Sequence, residues 1–158
     1  MKKVKKLSDA QQLALCNGFN LNAKNCLLEQ AQNSWICFKA QKRLCAQPDA
    51  AEIFLEQAQK GNLRFGGEMM AFELPNAEEI LLAQAKQGAL CEKAQVKSFK
   101  LHHAEAILTA QWTTSWLCNA AQVKVLDFVN AKEILRHQLQ LGVLCRDAQK
   151  KAVAFGLI

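Results

Sequence analysis

The chain has 158 residues, 51% of them apolar, and a formal charge of +6. That length makes one domain with room for a core, and that apolar content excludes a disordered chain. No run of about 18 apolar residues is present to cross a membrane, and Pro occurs only at positions 48 and 75, which excludes Pro-rich linkers.

The opening MKKVKK has the look of a signal n-region, and Leu13-Ala14-Leu15-Cys16 that of a lipoprotein cleavage box. Ser8, Asp9, Gln11 and Gln12 leave no apolar h-region behind the lysines, and Leu15 is too large to precede a lipidated cysteine. Residues 1–6 are read as a mobile basic tail and the chain as cytoplasmic, with 7–158 as one domain. Leu7 to Asn17 is predicted helical. Ser8 and Gln11 fit a capping box, and Asn17-Gly18 is a stop. Its Ala10-Gln11 echoes Ala40-Gln41, Ala94-Gln95, Ala121-Gln122 and Ala148-Gln149, so it reads as half of a degenerate first repeat covering one end of a stack.

From Leu21 a unit of 27 residues recurs over 21–47, 48–74, 75–101, 102–128 and 129–155. The first half of each copy is predicted helical. Asp49, Asn76 and Asn130 are expected N-caps, each with a Glu three residues on (Glu52, Glu79, Glu133), and His103 takes the same place in the fourth copy. The third, sixth, seventh and eleventh positions form an apolar helical stripe, as in Ala77, Ile80, Leu81 and Ala85. Gly61, Gly88 and Gly142, with Ser34 and Ser115 in the other copies, turn the chain. A second short helix follows, with the stripe Leu90, Cys91, Ala94, Ser98, Leu101. Gly66-Gly67 in the second copy predicts a kink, a shortened helix or a mobile spot. Helices this short need stacked neighbours for stability.

Three columns of the repeat draw attention. The tenth position is Gln30, Gln57, Gln84, Gln111 and Gln138. It falls inside the apolar stripe, where a buried amide must find partners. The main reading is a structural ladder bonding loop backbone of the same or the next copy, and the alternative is a polar groove reading peptide backbone. Gln41, Gln95, Gln122 and Gln149 form a second column at the helix edge, expected to be exposed and broken by Glu68. The basic column is Arg43, Lys97, Lys124 and Lys151, broken by Met70 and flanked by Lys39, Lys93 and Lys100. Second halves of the copies carry eleven basic and five acidic residues, against five and eight in first halves. Lysine stems covering apolar surface account for such a stripe. An acidic partner surface or a phosphate backbone is the functional alternative to that main reading. Trp35 and Trp116 supply little aromatic interleaving for base stacking.

Seven cysteines, four of them at one repeat position (Cys37, Cys91, Cys118, Cys145), read as small buried hydrophobes in a reducing compartment. A column along a stack does not converge on a metal. His102, His103 and His137 make no recurring pair with a cysteine, His103 reads as a cap, and His137 is placed on the outer side of its helix. No cofactor, metal site or catalytic set is expected. The apolar close of the fifth copy, through Phe155, Leu157 and Ile158, invites end-to-end or C-terminal self-association, or a fold-back of the last residues.

The layout resembles the αα-hairpin solenoids, the HEAT, armadillo and tetratricopeptide proteins and their shorter relatives, over about residues 7–158. That resemblance implies an all-α, right-handed α-solenoid of five helical hairpins with a leading half-repeat. It also implies a non-catalytic scaffold binding a protein partner, or alternatively nucleic acid, along one face, and the basic column suits an acidic protein partner. The expected partner face comprises Arg43, Lys93, Lys97, Lys100, Lys124, Lys151, Gln95, Gln122 and Gln149.

Overall fold

The computed structural model of the chain describes residues 6–156. They form eleven α-helices and a 3-10 turn, with no strand among the described residues. α1 (Asp9–Asn17) precedes five helix pairs: α2 (Leu21–Asn33) with α3 (Phe38–Leu44), α4 (Ala50–Gln59) with α5 (Arg64–Ala71), α6 (Ala77–Lys86) with α7 (Glu92–Ser98), α8 (Ala104–Thr114) with α9 (Asn119–Lys124), and α10 (Ala131–Gln140) with α11 (Arg146–Ala154). The protein is all-α. Each first helix contacts the first helix of the following pair, from α2 to α10, and α1 begins a parallel series of contacts through the second helices to α11. Among the described residues no helix is long and apolar enough to cross a membrane. Residues 1–5 of the basic tail, and Leu157 and Ile158, lie outside the described residues.

Burial follows the apolar stripe. Ile53, Ile80, Ile107 and Ile134, with Phe54, Leu81, Leu108 and Leu135 beside them, are wholly buried in the first-helix series. Ala40, Ala94, Ala121 and Ala148 are buried opposite them. Small residues there let the two series approach closely. Each buried Ile or Leu contributes about 1.5–3 kcal/mol relative to exposure, which these short helices require.

Helix ends depart from the predicted pattern. Ser8 and Gln11 do form the capping box of α1. Asp49, Asn76, His103 and Asn130 stand at N-cap positions but make no side-chain cap bond. Their backbones sit in a turn, not in the extended conformation a capping side chain needs. Asp49 instead reaches Lys24 at 3.1 Å, His103 pairs with Glu78, and Asn130 donates to Thr109 Oγ1 at 3.1 Å. These bonds join one first helix to its neighbour. His137 is half-buried, its ring edge-on to Trp112 at 5.3 Å, and is not on the outer side of its helix.

Cys37, Cys91, Cys118 and Cys145 are also more than small hydrophobes, for each is the N-cap of a second helix with extended backbone. Cys91 and Cys145 Sγ accept the amides of Ala94 and Ala148 at 3.4 Å. Cys118 and Cys145 Sγ donate to the carbonyls of Glu92 and Asn119 on the preceding second helix at 3.8 Å.

Two sets of buried amides cross-link the pairs. Gln30, Gln84 and Gln111 Nε2 donate to the carbonyl five residues on, at 3.0 to 3.2 Å, closing the loop after the first helix. Gln111 and Gln138 Oε1 accept the amides of Leu90 and Leu117 in the preceding copy at 3.0 and 2.8 Å. In the other column, Gln95 and Gln122 Nε2 donate to Leu90 and Leu117 carbonyls at 3.0 and 2.8 Å, while each Oε1 accepts the amide of Cys118 or Cys145 in the following copy at 2.7 Å. Gln12 does the same work in α1, donating to Leu7 O at 3.1 Å and accepting from Cys37 N at 2.7 Å. The counterpart of Gln41 in α1 is thus Gln12, not Gln11. Gln11 Oε1 accepts from Ser8 N at 2.9 Å, satisfying within α1 the N-cap amide that later copies direct to their predecessor.

Glu68 does not break this column but fills it. Its carboxylate is buried and accepts from Cys91 N at 2.8 Å and from Gln84 Nε2 at 3.0 Å. The glycines of the second copy neither shorten nor interrupt α5, which at 8 residues is longer than α3 at 7. They make room, because a Cβ at Gly66 would stand 2.4 Å from the Phe38 ring and one at Gly67 would stand 2.5 Å from Gln41 Nε2. Local strain appears instead at Arg64, a non-glycine residue with φ of 57°.

Candidate partner-binding site

The second helices carry the basic residues, and α7 and α9 bring four of them together. Lys93 and Lys97 on α7, Lys100 in the turn after it, and Lys124 at the end of α9 line one groove of about 610 Å³. Val96, Ala120 and Cys118 supply its apolar lining, and Glu92 and Asn119 stand at the helix starts. Among the described residues, Glu92 is the one acidic residue lining this groove.

Aromatic rings position the ammonium groups. Lys97 Nζ lies 4.5 Å from the Phe72 ring centre, Lys124 Nζ 5.3 Å from that of Phe99, and Lys93 Nζ 5.2 Å from that of Phe65. Such contacts contribute about 0.5–1 kcal/mol each at exposed sites. Lys97 also pairs with exposed Glu73 at 3.5 Å, a surface contact of little strength. The aromatic partners lie outside the sequence columns, and their signal is a constant offset: Phe72 precedes Lys97, and Phe99 precedes Lys124, by the same 25 residues. Where the basic column is interrupted, half-buried Met70 packs against the core together with Cys45.

The other expected contact residues are distributed differently. Arg43 and Lys151 are exposed but outside this groove. Gln95 and Gln122 are 0% and 1% exposed, which corrects their expected exposure. Their helix edge is covered by the following copy, and their amides are held in the ladder just described. Gln149, in the last pair, is exposed. The tenth-position residues Gln30, Gln57, Gln84, Gln111 and Gln138 are all buried.

Cys16, Cys45, Cys91 and Cys118 are poor nucleophiles. Burial, with a smaller contribution from neighbouring Cys37, pushes the Cys16 thiol up to about 11. Burial, then the hydrogen bond to the Glu68 carboxylate, pushes Cys91 up to about 12. Burial also raises Cys45 and Cys118. A raised pKa keeps a thiol protonated at neutral pH, and the thiolate is the reactive form. Iodoacetamide at about pH 8, near the ordinary thiol pKa, is therefore expected to leave Cys16 and Cys91 unlabelled in the folded protein and to label both after denaturation. Rapid native labelling of either, read by peptide mass spectrometry, would contradict this assignment. Among the described residues no cluster of His, Cys, Asp and Glu is arranged to hold a metal ion.

Compared with protein-family models, with curated proteins and with solved structures, the chain has no match.

Proposed function

We propose that this protein is a non-catalytic α-solenoid scaffold, right-handed like the proteins it resembles, that holds an acidic partner protein on its second-helix face. The observation that carries this reading is the convergence of Lys93, Lys97, Lys100 and Lys124 on one groove with apolar lining. Opposed charge steers encounter and sets specificity, while apolar contact supplies affinity. The two helix series, cross-linked by buried amides, support a stack of five hairpins begun by α1. The raised thiols of Cys16, Cys45, Cys91 and Cys118, with the rings of His103 and His137 engaged by Glu78 and Trp112, support a non-catalytic role. Seven free cysteines fit a reducing compartment such as the cytoplasm.

A second reading, nucleic-acid binding, draws on Phe38 and Phe65. They occupy the same repeat position on adjacent second helices and are 57% and 51% exposed. Lys39, Lys42, Arg43 and Arg64 are exposed on the same two helices, and exposed aromatics among cations are how single strands are held.

Binding of labelled polyglutamate and of single- and double-stranded DNA and RNA, measured at low and moderate salt, separates the two. The scaffold reading expects polyglutamate binding weakened in a Lys97→Ala/Lys124→Ala/Lys151→Ala variant, with nucleic acid bound no more tightly. Micromolar nucleic-acid affinity that falls steeply with salt, and weak polyglutamate binding, would instead establish the second reading.

A further inference from the structure

We propose that the groove between α7 and α9 takes an amphipathic acidic α-helix of the partner, lying parallel to α7. This rests on the acidic-partner reading above and adds the partner's conformation and direction.

Three observations lead there. The first is the lining itself. Val96 from one helix and Ala120 from the other line the groove together with Lys93, Lys97 and Lys124. A chain of carboxylates alone would leave those apolar groups wet, whereas a helix with one apolar edge covers them and places acidic residues against the lysines on either side. A helix lying between two others also continues the packing that builds this protein.

The second is preorganisation. Lys97 and Lys124 are held over Phe72 and Phe99, which limits the ordering needed when carboxylates arrive. Lys93 and Lys97 are four residues apart, about 6 Å of helix rise, the spacing of carboxylates at i and i+4 on a ligand helix. Glu73, which pairs with Lys97 at 3.5 Å, is exposed and is the carboxylate that the ligand replaces.

The third is polarity along the groove. Glu92 stands at the start of α7 and Lys100 just beyond its end. A ligand helix has a partial positive charge at its N-terminus and a negative one at its C-terminus. The favourable direction sets its N-terminus by Glu92 and its C-terminus by Lys100.

The test uses the full chain and a fluorescent peptide of about 15 residues, the length above which an isolated helix stops being marginal in water. It carries Glu at i and i+4 positions beside a Leu edge. Controls are a composition-matched scramble and a labelled single-stranded oligonucleotide. Anisotropy is expected to show the patterned peptide binding about tenfold more tightly than the scramble, because only it can present both edges at once. Lys97→Glu/Lys124→Glu is expected to weaken it by about tenfold or more, and Ala120→Asp, an exposed change favourable at a helix start, to weaken it comparably. Circular dichroism checks that both variants stay folded. Moving the Glu residues of the peptide from its C-terminal to its N-terminal half, towards Glu92, is expected to weaken binding, and Glu92→Gln to restore it. Equal binding of patterned and scrambled peptides would overturn the helix proposal and leave the acidic-partner reading standing. Weak binding of both peptides beside tight oligonucleotide binding, or no binding of any probe, would overturn both.

Discussion

Gln111→Ala is expected to destabilise the protein by about 3 kcal/mol. The Gln111 amide joins three backbone groups: Oε1 accepts Leu90 N at 3.0 Å, and Nε2 donates to Gly88 O at 3.1 Å and Trp116 O at 3.2 Å. Alanine leaves one N–H and two carbonyls without this partner. Each such group costs about 1–3 kcal/mol when it stays dry. Leu90 N is buried, but Gly88 is half-buried and Trp116 exposed, so water recovers part of the loss. Gln111→Leu separates bonding from volume: it fills most of the space and satisfies none of the three groups, so it should remain destabilised. Urea unfolding followed by helical circular dichroism measures both. A midpoint lowered at unchanged m-value is the expected outcome. A loss under about 0.5 kcal/mol, within the range of ordinary surface changes, would mean that these amides do not hold the copies together.

Gly67→Ala is expected to destabilise by about 2 kcal/mol although helix propensity alone favours alanine there by about 1 kcal/mol. Gly67 lies inside α5, and the added methyl would stand 2.5 Å from Gln41 Nε2. The end of a long side chain normally yields. This one is buried and tied to Gln57 Oε1 at 3.2 Å and Leu63 O at 3.1 Å. Moving it breaks these bonds in a dry site. The sign of the effect should therefore reverse in a Gln41→Ala background, where the methyl meets empty space and the propensity gain remains. A double-mutant cycle by denaturant titration reads this coupling. Additive effects would show that α3 and α5 do not meet through this contact.

The two cases mark where sequence and structure part company. The tenth-position glutamines were readable because five copies repeat one polar residue inside one apolar stripe, and burial follows from helical period alone. The second glutamine column was not. Whether the edge of a second helix is covered depends on the next copy, so Gln95 and Gln122 are buried while Gln149, with the same local pattern, is exposed. Gly66-Gly67 read as weakness because propensity sees only α5, whereas the reason for two glycines lies on α3 in Phe38 and Gln41. The cysteine caps were hidden for another reason. Cysteine is a weak hydrogen-bonding residue, and its place at four N-caps shows only in the extended backbone there and in the Sγ bonds of Cys91 and Cys145. Of the candidate site, the lysine column was visible. The rings beneath it belong to the preceding copy, so they show in sequence only as the constant offset of Phe72 from Lys97 and of Phe99 from Lys124.

These features bear on function together. The amide ladders fix one helix pair against the next, so the spacing between α7 and α9 is set by buried bonds such as Gln95 to Cys118. Lys97 and Lys124 are placed by aromatic contacts on that frame. A partner thus meets charges already arranged, on a surface that reorganises little.

Amide NMR of the ¹⁵N-labelled full chain, titrated with the patterned acidic peptide, tests this account most directly. Shifts confined to residues 92–100 and 118–124, absent in the Lys97→Glu/Lys124→Glu variant, are the result it predicts. Saturable binding with shifts centred on α4, α6 and α8, or unchanged in that variant, would contradict it.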